Sequence, residues 1–239
     1  MPSTPRIRVF APATLSNLGP GFDVLGLALA TPGDRLDAEL SPTPGVSLIH
    51  ISGDEGQLPL DASLNVAAVA AGDVFARARR ANLLPANVEG VRLWLRKGIP
   101  IASGLGGSAA SSVAGAVAVN ELLGRPFAPL DLVESALAGE RLAAHTPHGD
   151  NIIPCLVGGI VLVRTLAPLD VVALPVPKDL YLAVVHPHCQ VATARARAIL
   201  DDCRFQLADA VANTANIAAL VASLYRNDLA LLGRSIEDR

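Results

Sequence analysis

The chain has 239 residues, of which 51% are hydrophobic and 17% are charged. This length is enough for one large domain or two modest ones, and the apolar share excludes an intrinsically disordered protein. The 19 basic and 22 acidic residues include no basic block, so we expect no nucleic-acid partner. No stretch reaches the roughly 18 uninterrupted apolar residues of a membrane span, so we expect no membrane partner either.

The cysteines and the N-terminus indicate the compartment. Cys155, Cys189 and Cys203 are widely spaced and fit neither a disulfide framework nor a Cys-x-x-Cys metal or redox unit. The first ten residues carry no apolar run followed by a small-residue cleavage site, so no secretory signal is visible. These features predict a cytoplasmic protein.

Short extended runs alternate with turn clusters in the first half of the chain. Apolar and β-branched patterning predicts strands at 7–11, 36–40, 46–51 and 88–95. Helical spacing predicts helices at 65–83, 108–123 and 130–144. The helix at 108–123 consists almost entirely of Ala, Val and Ser, so it must be buried.

The second half begins with strands and ends with helices. After a polar turn at 146–151, the pattern predicts strands at 158–164, 171–176 and 181–186. Helices are then predicted at 193–200, 207–225 and 228–236. We therefore predict an α+β protein with one domain at 1–158 and a second at 159–239, the boundary lying where helix changes to strand.

A glycine-rich loop at 100–110 is the most informative segment. Gly104, Gly106 and Gly107 allow tight turns and close approach to a ligand, and the buried helix begins directly behind them. Backbone amides at a helix N-terminus bind phosphate. The hydroxyl of Ser108 could add a Mg²⁺ ligand or a further phosphate contact.

Other interpretations of this loop fit less well. A Walker loop requires Gly-Lys-Ser/Thr, and no lysine comes directly after these glycines. Gly104, Gly106 and Ala109 formally satisfy a dinucleotide-binding fingerprint, but the preceding residues alternate like a half-exposed antiparallel strand and no second strand ending in an acid follows the helix. A purely structural glycine turn is the remaining alternative.

Four ordered motifs resemble a known family. The pattern Pro100-x-x-x-Gly104-Leu105-x-x-Ser108-Ala109 resembles the phosphate-binding motif of the GHMP kinases, which use no Walker lysine. Three further segments are similar to signatures of the homoserine kinase branch of that superfamily: 11–26, 148–154 with the following Gly158-Gly159, and 193–200. The chain differs from the pattern at position 107, where the family often has a second serine.

The resemblance implies a two-domain GHMP kinase fold. Its N-terminal domain would be like domain 2 of ribosomal protein S5, and its C-terminal domain ferredoxin-like. Nothing at 201–239 resembles the third, glycine-rich motif of homoserine kinases. We therefore expect the C-terminal domain at 159–239 to be truncated.

The resemblance also implies ATP and Mg²⁺ as cofactors, with metal ligands at Ser108 and Glu140. It implies a nucleotide site at Asn65, Pro100, Ala102, Ser103, Gly104, Leu105, Gly106, Gly107, Ser108 and Ala109. Taken alone, Glu140 is typical of a solvated helix charge and Asn65 of a helix N-cap.

L-homoserine, the implied substrate, carries an ammonium, a carboxylate and a hydroxyl. Asp23 and Asp150 offer anions for the ammonium, and Asn17 and His148 offer orienting hydrogen bonds. Arg197 lies where the family has a substrate-binding arginine, which can hold the carboxylate in a bidentate pair. We predict Asp23, Glu140 and Arg197 as catalytic residues and leave the general base unassigned.

Alternative functions stay open from the sequence. His145, His148 and Asp150 could hold zinc, although no third strong ligand has typical spacing. A serine hydrolase is disfavoured because no Gly-x-Ser-x-Gly elbow exists. A GHMP kinase acting on a mevalonate-type alcohol, or a non-catalytic nucleotide-binding relative, are the other candidates. A homodimer is the one assembly we consider.

Overall fold

The computed structural model describes residues 5–143, 148–185 and 206–239. These residues form six strands: β1 Ile7–Ser16, β2 Leu25–Ser41, β3 Gly45–Ser52, β4 Gly90–Arg96, β5 Ile160–Leu166 and β6 Leu169–Leu174. They also form six α-helices: α1 Val66–Arg80, α2 Gly107–Leu122, α3 Val133–Ala143, α4 Gly149–Val157, α5 Leu207–Arg226 and α6 Leu229–Ser235. Short 3₁₀ turns at Ala62–Leu64 and Pro129–Leu132 precede α1 and α3.

One mixed sheet contains all six of these strands. Its order is β3-β4-β2-β5-β6, with β1 also paired to β2. The pairs are antiparallel except β3 with β4, which are parallel and joined by a crossover through α1. β2 is long enough, at 17 residues, to pair with β4 near its end and with β5 near its start. This confirms the predicted α+β class.

Helix α2 lies in the centre of the larger core. Residues 109–116 are all buried, as the small-residue composition predicts. A Cβ at Gly115 would overlap the carbonyl oxygen of Ala67 in α1, so the two helices pack backbone to backbone. Strands β2 and β4 contribute Leu36, Leu93 and Leu95 to this core. The packing fixes the N-terminus of α2, and with it the glycine-rich loop.

A smaller core joins α5 to the other end of the sheet. It contains Leu25, Leu27, Ile160, Leu174, Leu220 and Leu224. Most of α5 is nevertheless exposed: only 17% of its most apolar window, with mean hydropathy 1.4, is buried. Within the described residues, α5 has the length and composition of a membrane span, and a single helix of this kind is weak evidence for one.

Three predicted elements need correction. The polar turn at 146–151 gives way at Gly149 to α4, a short buried helix that the sequence pattern missed. Residues 181–185 form no strand. β2 begins at Leu25, eleven residues before its predicted start, although Pro32 and Gly33 lie within it. The predicted helix at 193–200 lies outside the described residues.

The domain boundary at residue 158 stays a prediction. β5 begins at Ile160, close to that boundary. It pairs with β2 through Leu25–Leu162 and Leu27–Ile160, so the sheet continues across residue 158.

Candidate active site

A cavity of about 470 Å³ brings the predicted site residues together. It is lined by the turn after β1, the segment before α1, the glycine-rich loop, the end of α3 and the start of α4. Every predicted site residue within the described residues lines it except Leu105. The Leu105 side chain is buried, and its carbonyl oxygen accepts a hydrogen bond from the Thr14 amide. Arg197 lies outside the described residues.

The glycine-rich loop presents an uncapped helix N-terminus to the cavity. Gly104 and Gly106 have φ values of 74° and 64°, in the left-handed region that favours glycine. Gly106 is the N-cap of α2, and no side chain caps the helix. The first amides of α2 are therefore left for a ligand, which is the arrangement that binds phosphate.

Asn65 caps a helix and also lines the cavity. Its side-chain oxygen accepts a hydrogen bond from the Ala67 amide and so caps α1, as its residue type predicts. Its side-chain amide donates to the carbonyl oxygen of Pro59. Asn65 also lines the cavity, so it can contact a bound molecule while it holds the start of α1.

Glu140 and Ser108 form the candidate metal position. Glu140 is 7% exposed, which rules out the solvated helix charge. Burial raises the pKa of its carboxyl, while a hydrogen bond from Ser108 and the charge of Lys97 lower it. Its Oε1 atom is buried and makes no hydrogen bond.

That orphaned carboxylate oxygen fits a Mg²⁺ ion. Mg²⁺ prefers oxygen ligands and is usually held by one or two protein groups together with substrate phosphates. Within the described residues no group of three or more His, Cys, Asp or Glu side chains could hold a metal. Substrate phosphates and water could complete the coordination of a cation beside Ser108 and Glu140.

Polar groups from two segments meet at the predicted amino-acid site. The Asn17 side-chain oxygen accepts a hydrogen bond from the Asp23 amide, and both residues have positive φ. His148 Nδ1, at the start of α4, lies 3.6 Å from Asp23 Oδ1. Asp150 is buried two residues further along the chain, in the first turn of α4. The Asn17–Asp23 turn is thus well formed, and its carboxylate faces the imidazole.

The C-terminal part of the chain packs against this turn. Leu18 and Leu232 of α6 pack against the smaller core. A Cβ at Gly19, where φ is 79°, would overlap the carbonyl oxygen of Ile236. The close approach of the two backbones explains why a glycine is needed there.

Sequence reasoning missed several residues around the loop. Thr14 Oγ1 lies 2.7 Å from Asn151 Oδ1, and both atoms face Gly106. Lys97, at the end of β4, forms a buried cluster with Asp34 and Ser111 beneath the loop. The one available signal was the position of Lys97, one of only two lysines, three residues before the loop.

The comparisons with known proteins point to one family. The GHMP kinases N terminal domain family matches residues 65–159, which contain the glycine-rich loop and Glu140. A homoserine kinase of Chlorobium phaeovibrioides is 40% identical over 237 residues, covering 97% of this chain and 73% of that protein. A homoserine kinase of Pyrococcus furiosus is also 40% identical, covering 97% and 74% respectively.

Solved structures give the same result. The homoserine kinase of Cytophaga hutchinsonii superposes with a TM-score of 0.90 at 44% identity, covering all of this chain and 73% of the other. The mevalonate kinase of L. major has a TM-score of 0.71 at 18% identity over 99% of this chain and 75% of its own, which shows a shared fold alone. Together with the loop and the carboxylates around it, these matches show that the chain belongs to the homoserine kinase family of GHMP kinases.

Proposed function

We propose that this chain transfers the γ-phosphoryl group of ATP to the hydroxyl of L-homoserine, giving O-phospho-L-homoserine and ADP on the route to threonine. The observation that carries the proposal is one cavity shared by two sites. The uncapped N-terminus of α2 lies on one side, and the Asn17, Asp23 and His148 cluster lies on the other. Phosphoryl transfer needs mainly such positioning and charge stabilisation.

The loop would hold the phosphates through backbone amides. Ser108 and Glu140 would hold Mg²⁺, which would supply positive charge to the phosphates when bound. The buried carboxylate of Glu140 supplies the negative charge that keeps the cation in place. The Ser108 hydroxyl, at the first turn of α2, orients that carboxylate.

Asp23 would pair with the homoserine ammonium. Its side chain is 33% exposed, so the charge is reachable from the cavity. Arg197 is proposed for the substrate carboxylate, and Asp150 and His148 for orienting the substrate. A mevalonate-type alcohol has no ammonium with which the Asp23 carboxylate could pair. This charge argument separates the two substrates.

Measuring ADP release with purified protein, ATP and Mg²⁺ tests the proposal. We expect turnover with L-homoserine and none above background with mevalonate or without an acceptor. ATP binding without turnover on either alcohol would instead favour a non-catalytic nucleotide-binding protein. Phosphorylation of mevalonate in place of homoserine would move the function to the other GHMP substrate class.

We further propose a cytoplasmic enzyme that acts on small molecules, contacts neither nucleic acid nor membrane, and forms a homodimer. We also propose that its second domain begins at residue 159. Light scattering coupled to size-exclusion chromatography would test the dimer. A mass equal to one chain, near 24.6 kDa, would contradict it.

A further inference from the structure

We propose that Asp34, Lys97 and Ser111 form a clamp that fixes the shape of the phosphate loop, which makes Asp34 and Lys97 positioning residues for ATP. The inference rests on the proposed function, because it assumes that the loop binds the phosphates of ATP. None of the three residues belongs to the predicted site. The cluster is buried, with side-chain exposures of 4% for Lys97 and 0% for Asp34.

The carboxylate of Asp34 holds the beginning of the loop. Asp34 lies on β2, and its Oδ1 accepts hydrogen bonds from the amides of Gly98 at 3.0 Å and Ile99 at 3.2 Å. Its Oδ2 accepts a hydrogen bond from Ser111 Oγ at 2.7 Å and pairs with the ammonium of Lys97. One side chain therefore contacts both the segment that leaves β4 and the helix behind the loop.

The ammonium of Lys97 holds the end of the loop. Lys97 Nζ donates to the carbonyl oxygen of Gly107 at 2.8 Å and to Ser111 Oγ at 2.9 Å. Gly107 is the first residue of α2. An ammonium has three protons, and Asp34, Gly107 and Ser111 take all three. Lys97 thus acts on the backbone of the loop, and its charge also lowers the pKa of Glu140.

Both ends of the loop are consequently tied to one ion pair. The seven residues at 100–106 lie between the amides held by Asp34 and the carbonyl held by Lys97. They include Gly104 and Gly106, which lose much backbone entropy when they are ordered. A binding loop that is ordered before its ligand arrives loses less affinity to this entropy. The clamp therefore lowers the entropic cost of ATP binding, since its hydrogen bonds hold the loop and the start of α2.

The test compares ATP and homoserine affinities by isothermal titration calorimetry. The double variant Asp34→Asn/Lys97→Met removes both charges, so no unpaired charge stays buried. We expect its Kd for ATP to rise by about tenfold or more. Its Kd for homoserine should stay within about twofold, because the hydrogen bonds of Asp34 and Lys97 go to the loop and α2, and separate sites usually couple by less than about 0.5 kcal/mol. Ser111→Ala removes two hydrogen bonds and keeps the ion pair, and it should raise the Kd for ATP by about threefold.

Asp37→Asn is the matched control. Asp37 lies on the same strand and pairs with Arg8 on the exposed face of the sheet, away from the loop. This variant should bind ATP like the wild type. Circular dichroism verifies that each protein is folded, and Ser111→Ala decides the question if the double variant does not fold.

The outcomes distinguish failure of the clamp proposal from failure of the proposed function. If the double variant folds and binds ATP with wild-type affinity, the clamp proposal is wrong and the proposed function still stands. If only Ser111→Ala folds, wild-type ATP affinity in that variant leads to the same conclusion. Equal weakening of ATP and homoserine overturns the clamp proposal as well, because a general loss of structure then explains the result. A wild-type chain that binds no ATP overturns the proposed function and the clamp together. If the chain binds ATP but not homoserine, the ATP arm still decides whether the clamp exists.

Discussion

Asp23 has a position set by its own turn and a charge suited to an ammonium. The Asn17 side chain holds its backbone, and His148 lies 3.6 Å from its carboxylate. Asp23→Asn keeps the size of the side chain and removes the charge. We expect kcat/KM for homoserine to fall by more than about tenfold, or ~1.4 kcal/mol, with the KM for ATP unchanged. Steady-state kinetics with either substrate varied would measure this, and equal impairment for ATP would contradict the assignment.

Glu140 connects metal binding to stability. Burial raises the pKa of its carboxyl above the ordinary value of 4.5. Below pH 4.5 the group is protonated in both the folded and unfolded chains, so it does not affect the free energy of unfolding. Above that pH the unfolded chain ionises first, and the folded state loses stability as pH rises towards the raised pKa. The ionised Glu140 that we propose as a Mg²⁺ ligand therefore destabilises the metal-free protein.

Glu140→Gln should consequently raise the melting temperature of the metal-free protein at pH 7. The gain should shrink as pH falls towards 4.5, while Mg²⁺-dependent turnover is lost. Thermal unfolding across this pH range would measure the effect. Glu134→Gln on the same helix is the control, since Glu134 is exposed and paired with Arg141. The same gain in both variants would show that burial of Glu140 is not the cause.

At the scale of elements, the start of α2 depends on glycine for space as well as conformation. A Cβ at Gly106 would overlap Thr14 Oγ1 and lie 2.9 Å from Asn151 Oδ1. Gly124, just past the other end of α2, has a φ of 80° and open space around it. The two glycines therefore share the backbone requirement, and only Gly106 has the steric one.

Gly124→Ala should lose about 1–2 kcal/mol of stability, because left-handed backbone is unfavourable for alanine. Gly106→Ala should lose more than Gly124→Ala, because its Cβ would also overlap Thr14 Oγ1. Only Gly106→Ala should also lose ATP affinity, and Gly106→Val should abolish binding. Chemical denaturation and calorimetric titration of the variants would measure the two effects separately. Unchanged ATP affinity in Gly106→Ala would refute the phosphate-loop assignment.

At the scale of the whole molecule, α5 is joined to the sheet through one face. Leu220 is 1% exposed within the smaller core, whereas Val211 on the same helix is 60% exposed. Leu220→Ala should reduce the free energy of unfolding by about 2–5 kcal/mol, as buried leucine truncations do. Val211→Ala should change it by less than about 0.5 kcal/mol. Urea denaturation would compare them, and equal losses would show that α5 does not unfold with the sheet as one unit.

Local sequence patterns were enough to predict features that depend only on neighbouring residues in the chain. The glycines of the loop, the small residues of α2 and the N-cap Asn65 act through their own backbone, so composition and spacing predicted them. The family motifs placed Asp23, His148, Asp150 and Glu140 in one site because their order along the chain is specific. The sequence pattern failed for α4 and for the first half of β2, where tertiary packing overrides weak local propensity.

The sequence by itself thus determined the α+β class, the presence of the glycine-rich loop and the family. Only the tertiary structure decided that Glu140 is buried and that Asp34 meets Lys97 and Ser111 across separations of 63 and 77 residues. Such contacts depend on strand pairing between β2 and β4 and on the packing of α2 against the sheet. A side chain's burial and its distant partners are properties of that packing, and the residues next to it in the chain do not encode them.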